Sequence, residues 1–347
     1  MLIPKHQYPR VLDKTSKGTL QRFDREIRSF LKKALHLPKD TPNAAFYARV
    51  RDEGLEVSRF SSLIIILRRG ALERLSKGLD QRVARVAEAL LQTPSLTAKE
   101  LKDQMIKQHQ EQLYASADGR GLRGTNLTPS THDWVDDGTA LLKGTTYISA
   151  LKTRLGVVTT RLRASRGRPG APVLCDLGCG RIESLGHILQ SCPRLAPERT
   201  TRHNRVLGLL EKQLTGKGLR TLKEPTIRTP AGVRKPDLVI WDHYRSVVLD
   251  VQIVADSSAG DFLDRAHGLK RSYYDTESIC QWVRGQTEHA PVVSTLTINW
   301  RGSTARQSYE TLTSLGVAKG EIRLLTVRSL EGLVAALRAH RDIGGWG

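Results

Sequence analysis

Between positions 234 and 254 the chain reads RKPDLVIWDHYRSVVLDVQIV. Two apolar runs, 238–241 and 247–254, flank a polar break at His243 and Tyr244. Their β-branched content and the break between them predict an antiparallel hairpin. Upstream the period changes. Leu20, Phe23, Ile27, Phe30, Leu31 and Leu35 recur at helical spacing over about 19–36, and Pro38 and Pro42 end the pattern. Residues 60–113 read as several helices broken near Gly78 and at QTPSL, 92–96; LIIIL at 63–67 reads as core. The Gly, Ser and Thr of 115–133 predict a loop. A further helix is expected over about 260–279.

The hairpin carries a second pattern. If its turn is centred at His243–Tyr244, Asp237 falls opposite Asp250. Directly opposed Cβ atoms stand roughly 4.5–5.5 Å apart, a distance at which two like charges repel unless a cation lies between them. Oxygen ligands suit a hard divalent ion such as Mg2+. Alternation puts Gln252 on the face of Asp250. The result is P-D-x12-D-x-Q, similar to a P-D…(D/E)-x-K nuclease signature with Gln252 in the lysine position. The following helix offers Lys270 as the basic group, with Tyr274 one turn later.

A third pattern is CDLGCGRIESLGHILQSC, which sets Cys175, Cys179, His187 and Cys192 within eighteen residues. Three thiols and an imidazole at this spacing are the donor set of a tetrahedral Zn2+ site, and four closed ligands make it structural. Gly178 and Gly180 allow the first cysteine pair to turn tightly, and 185–192 is expected to be a short helix bringing His187 and Cys192 inward. The fourth cysteine, Cys280, stands apart.

Charge changes the picture further. The 347 residues hold 55 Lys and Arg against 35 Asp and Glu, a net charge of +20 that points to a polyanionic partner. Between Gly138 and Cys175 lie seven cations and no acid, among them Arg161, Arg163 and Arg166. Such a run is ordinarily a solvated face; next to a metal knuckle it becomes a candidate phosphate contact. Aromatic residues are only 5%, so base stacking is not the expected binding mode. No apolar run has the length of a membrane span and the first residues lack a signal-peptide core, so an intracellular protein without a membrane or small-molecule partner is expected.

These segments together resemble the C-terminal part of the polyprotein of R-two type non-LTR retrotransposons, which insert into ribosomal RNA genes. IRSFLKKALHLPKDTPNAAFYARVRDEGLEV resembles the segment after that family's reverse transcriptase palm, LLKGTTYISALKTRLGVVTTRLRASRGRP its linker, and CDLGCGRIESLGHILQSCPR its knuckle. RTTRHNRVLGLLEKQL, KEPTIRTPAGVRKPDLVIWD and VVLDVQIV resemble its restriction-like endonuclease. The resemblance implies an α+β chain: a thumb-like helical segment over 1–80, a helical and basic linker over 81–170, a CCHC zinc knuckle over 171–195 and a PD-(D/E)XK nuclease with a mixed central sheet over 196–347. It implies that Asp237 and Asp250 bind the catalytic metal, that Lys270 is the active-site lysine, and that Arg202 and His203 form an RH motif. With Lys235 they are candidate phosphate contacts.

It also implies nicking of target DNA, priming of reverse transcription of the element RNA by the freed 3′ hydroxyl, and a nuclear location. Tyr273 stands where the family often has a second lysine, and RDEGLEV where it has a more glycine-rich stretch. The chain lacks the aromatic-x-Asp-Asp turn of a polymerase: its one Asp-Asp, Asp136–Asp137, has no strand–turn–strand around it. A fragment without polymerase activity is therefore expected. The alternative reading is a non-catalytic nucleic-acid-binding module from a decayed element.

Overall fold

The computed structural model describes residues 15–91, 96–125, 128, 131–257 and 259–344. The chain divides into two compact units, Met1–Gly119 and Arg120–Gly347.

In the first unit, α1 (Lys17–Ala34) starts at Ser16, whose hydroxyl accepts from the Thr19 amide at 3.1 Å, and ends with Lys32 and Lys33 at the negative end of the helix dipole. Leu20 and Ile27 pack on Phe60 and Ile64 of α3 (Phe60–Leu75), which follows the short α2 (Asn43–Tyr47). Phe30, expected on the same face, is 68% exposed, because that apolar cluster takes only the earlier turns of α1. Asp24 is buried and spends its carboxylate on the amides of Phe60 and Ser61, capping α3 from a neighbouring helix. α4 (Gln81–Leu91) follows the break after Gly78, and α5 (Ala98–Ala115) begins with a reciprocal Thr97–Glu100 capping box. Within LIIIL, Ile64 and Ile66 are buried while Ile65 is half exposed. Of the QTPSL break, 92–95 lie outside the described residues.

The second unit opens with three short helices, α6 (Asp133–Asp137), α7 (Gly144–Arg154) and α8 (Arg161–Ala164). Asp136 and Asp137 end a helix rather than a hairpin, and Asp137 pairs with Arg323 at 2.9 Å. After the cysteine-rich segment come α9 (Ala196–Thr215), β1 (Arg220–Lys223), β2 (Ile227–Thr229), β3 (Gly232–Arg234), β4 (Leu238–Trp241) and β5 (Ser246–Val254). The chain continues through α10 (Phe262–Tyr274), α11 (Glu277–Thr287), β6 (Pro291–Asn299), α12 (Arg306–Ser314) and α13 (Lys319–Gly344). The helix expected over 260–279 is thus two helices. No helix among the described residues is long and apolar enough to cross a membrane.

The central sheet is mixed. Its order is β1-β4-β5-β6, with β5 and β6 parallel and the other pairs antiparallel. Leu238 pairs with Leu249 and Trp241 with Ser246, the register of a turn centred at His243–Tyr244. Both faces are covered, which is why the strands read as nearly unbroken apolar runs. Leu238, Ile240, Val247, Leu249 and Val251 join a core with Val206, Leu210, Leu312 and Leu325 from α9, α12 and α13. Val239 and Val248 point the other way, onto Tyr274, Ile279 and Val283 of α10 and α11. By the same alternation Asp237 and Asp250 belong to the α10 face.

α9 and α13 cross at Gly332, where an added Cβ would lie 2.5 Å from Arg202 Cγ and 2.7 Å from its Cβ. Gly332→Ala therefore forces two packed helices apart. A loss of about 1–3 kcal/mol is expected, read as a lower urea midpoint with an unchanged slope.

Candidate functional site

Two clusters of chemistry-bearing side chains lie in the second unit. In the first, the ligand atoms of Cys175, Cys179, His187 and Cys192 all fall within 4.8 Å of one another. Two local devices gather them. The 174–182 bridge and the positive φ of Gly178 (68°) and Gly180 (72°) fold the Cys175–Cys179 loop back on itself. His187 and Cys192 are five residues apart, which an α-helix would rotate about 140° out of alignment. Here His187–Ser191 is a π turn, in which the Cys192 amide donates to the His187 carbonyl at 2.8 Å and closes the five-residue spacing over itself.

The donor set fits a metal ion of zinc type. His187 Nε2 stands 3.2 Å from Cys179 Sγ. Burial and the charge of Arg181 lower the His187 pKa, leaving the neutral imidazole that ligation requires. Burial pushes the Cys175 thiol up to about 12, so its thiolate needs a cation beside it. Two further neighbours carry no local sequence signal. Glu183 and His340, both buried, adjoin this cluster through Cys175: His340 Nε2 lies 3.4 Å from Glu183 Oε2 and 4.0 Å from Cys175 Sγ. Glu183 also accepts from the amides of Arg161 and Asp176, each at 2.9 Å. One carboxylate thus joins α8, the cysteine-rich segment and α13.

The second cluster is the acidic pair. Asp237 and Asp250 stand one position beyond the last β4–β5 pair and are 8% and 4% exposed. Asp237 Oδ2 accepts from the Val251 amide at 2.6 Å and from His203 Nε2 at 3.0 Å. Lys270 Nζ approaches Asp250 Oδ2 at 3.3 Å. The Tyr274 hydroxyl is within hydrogen-bonding reach of Asp250 and donates to the Lys235 carbonyl at 3.0 Å. Burial first, and then the charge of Asp237, raises the Asp250 pKa to about 6 against the pull of Lys270 and Tyr274. Burial and Asp250 hold the Tyr274 phenol well above its usual range, so it stays a donor. The Gln252 amide donates to the Ala266 carbonyl and to Thr297 Oγ1, which ties β5 to α10 and β6.

The candidate phosphate contacts are placed very differently from one another. Lys235 is exposed beside the acids. His203 faces Asp237 rather than solvent phosphate, and the hydrogen bond to Asp237 raises its pKa to about 9. Arg202 is 2% exposed and donates to the Leu189 carbonyl and Gln190 Oε1, so it holds α9 to the knuckle and is not presented to a polyanion. Arg161 pairs with Asp176 and donates to the Leu174 carbonyl. Arg163 is half-buried and Arg166 exposed. Arg154, from the same basic run, is core: it lies over Trp134 and hydrogen-bonds His132 Nδ1.

His203 offers a direct reading of the pair. Its folded pKa exceeds the usual histidine value, so its contact with Asp237 stabilises the fold fully below about pH 6.5. That contribution is lost as pH rises through about 9. An NMR titration should find His203 near that value, and in Asp237→Asn back towards that of an ordinary imidazole. A His203 unchanged by Asp237→Asn refutes the assignment.

No protein-family model matches the chain. It is 29% identical over 364 residues to the retrovirus-related Pol polyprotein from type-2 retrotransposable element R2DM of Drosophila melanogaster, covering 100% of this chain and 34% of that protein. It is 30% identical over 341 residues to the retrovirus-related Pol polyprotein from type-1 retrotransposable element R2 of Nasonia vitripennis, covering 95% and 32%. With a Popillia japonica protein of the same description it is 31% identical over 337 residues, covering 90% and 45%. The chain spans about a third of the length of the first two relatives.

Proposed function

We propose, from the premise that this chain is homologous over most of its length to the Pol polyproteins of R2-type non-LTR retrotransposons, that its second unit is a metal-dependent endonuclease that nicks target DNA. The observation that carries the reading is the buried Asp237–Asp250 pair with Lys270 Nζ 3.3 Å from the second acid. A sheet gains nothing from two facing acids at its buried end; a divalent cation gains two oxygen ligands there. Mg2+, when bound, supplies water activation and stabilisation of charge on the scissile phosphate.

The remaining roles fall to the chain. Asp237 is held by the Val251 amide and His203, which fix the position of its carboxylate. Lys270 supplies a cation for the developing oxyanion or orients the attacking water. Tyr274 ties the backbone at Lys235, two residues before Asp237, to the helix that carries Lys270. Cys175, Cys179, His187 and Cys192 hold Zn2+ as a structural ion. In this reading the nicked strand's 3′ hydroxyl primes reverse transcription of the element RNA, the target is ribosomal DNA and the protein acts in the nucleus.

One observation favours a second reading, a nucleic-acid-binding module without cleavage: Asp237 Oδ2 already accepts two hydrogen bonds, as a structural acid would. Nicking of supercoiled plasmid in Mg2+ and in EDTA separates the two. Cleavage only with Mg2+ supports the endonuclease, and its absence with zinc-replete, folded protein supports the binding module.

A further inference from the structure

Strands β2 and β3 form a ribbon apart from the central sheet. Its turn is built from Pro230, which presets φ at the first central position, and Gly232, whose φ of 103° an L side chain rarely adopts. An isolated two-stranded ribbon is marginal in water, so its root must be held. Ile227 is fully buried in the core with Val239, Tyr274, Ile279 and Val283. Arg234, its cross-strand partner, stacks its guanidinium 4.4 Å from the ring centre of Tyr273.

The outer face is different. Arg228 pairs directly with Val233, alternation puts Lys235 on the same side, and all three are exposed. Val233 is a β-branched apolar residue 53% exposed between two cations. The segment 227–235 holds three cations and no acid, and it leads straight into Pro236 and Asp237.

We propose that this ribbon is a DNA-docking element whose outer face, Arg228, Val233 and Lys235, enters the major groove of duplex DNA and sets the scissile phosphate against the acidic pair. A B-form major groove admits a two-stranded ribbon, and a thymine methyl is the apolar feature that Val233 would meet there. The A-form major groove is too deep and narrow, so duplex RNA is excluded on shape. The anchors explain the alignment. Tyr273 and Tyr274 hold Arg234 and the Lys235 carbonyl on the helix that carries Lys270, which fastens the root of the ribbon beside the acids. The cleavage-site part of the inference rests on the endonuclease reading above; the docking part does not.

The test uses the full chain without added divalent ion, and a duplex DNA and a duplex RNA of the same sequence. Arg228→Ala/Lys235→Ala should weaken DNA binding about tenfold and reduce the slope of log affinity against log salt by about 2, as two lost phosphate contacts require. A photo-crosslinking residue in place of Val233, with both cations intact, should capture duplex DNA and not duplex RNA. An unchanged salt slope in the folded double variant overturns the proposal, as does a Val233 crosslink as strong to RNA as to DNA. Failure of the unaltered chain to nick, with both binding results as expected, rejects the endonuclease reading and leaves the docking element standing.

Discussion

Asp237→Ala and Asp250→Ala are each expected to lower nicking of supercoiled DNA by at least about a thousand-fold, or some 4 kcal/mol of barrier, and to leave DNA binding intact or slightly tighter. The asymmetry comes from charge. Each carboxylate repels a phosphate backbone until a cation neutralises it, so removal relieves repulsion while destroying the ion site. Stability gives an independent readout. The Asp250 pKa of about 6 lies above the ordinary carboxylate value, so burial next to Asp237 disfavours its charged form. Its contribution favours the fold below about pH 4 and is lost as pH rises through about 6. Above that, the ionised acid costs on the order of 3 kcal/mol, even beside Lys270, in the absence of a divalent ion. Asp250→Asn should then melt higher than the parent at pH 7.5 without divalent ion, and Mg2+ should raise the melting temperature of the parent but not that of the variant. A structural acid predicts a lower melting temperature and weaker binding together. If both alanine variants nick like the parent at matched stability, the acidic pair is not the cleavage centre.

The knuckle carries the other large effect. Purified protein is expected to hold about one zinc per chain, and Cys179→Ser to lose it. Structural zinc sites bind with about 10–16 kcal/mol at neutral pH, and that binding is folding free energy for the residues that close round the ion. Cys179 is the partly exposed ligand, so serine there disturbs packing little and isolates the metal's contribution. A fall in melting temperature of about ten degrees or more should follow, with faster hydrogen exchange across 172–195. Cys280→Ser, on α11, should retain the metal and the stability. Folded protein that contains no zinc when freshly prepared contradicts the assignment.

How far the sequence could be read varies with distance along the chain. The β4–β5 hairpin was legible because one local turn fixes every pair, including the position of Asp237 relative to Asp250. The four Cys and His donors were legible because their spacing is itself a chemical pattern, and their atoms do gather. What escaped depends on elements far apart. His203 looked like a phosphate contact in an RH pair; only the packing of α9 at the sheet's end turns it onto Asp237, 34 residues later. Arg202 and Arg154 read as surface cations, yet both are enclosed by helices that no local period announces. The β2–β3 ribbon was missed because three-residue strands are too short to show alternation. Gly332 gave no hint of its role, since close approach of two helices leaves no mark on either one alone.

The link from Cys175 and Glu183 to His340 has a consequence for synthesis. The four knuckle donors have all been made by residue 192, whereas His340 follows about 150 residues later, near the end of this chain. At about 5–20 residues per second, the four donors are made some 7–30 seconds before the imidazole of His340, so an ion held as proposed would be captured first. During that interval Glu183 holds the amides of Arg161 and Asp176 but lacks its imidazole partner. A product that stops short of α13 would therefore leave Glu183 without His340 and the sheet core without Ile322 and Leu325. Premature termination is thereby converted into exposed apolar surface that cellular quality control can recognise.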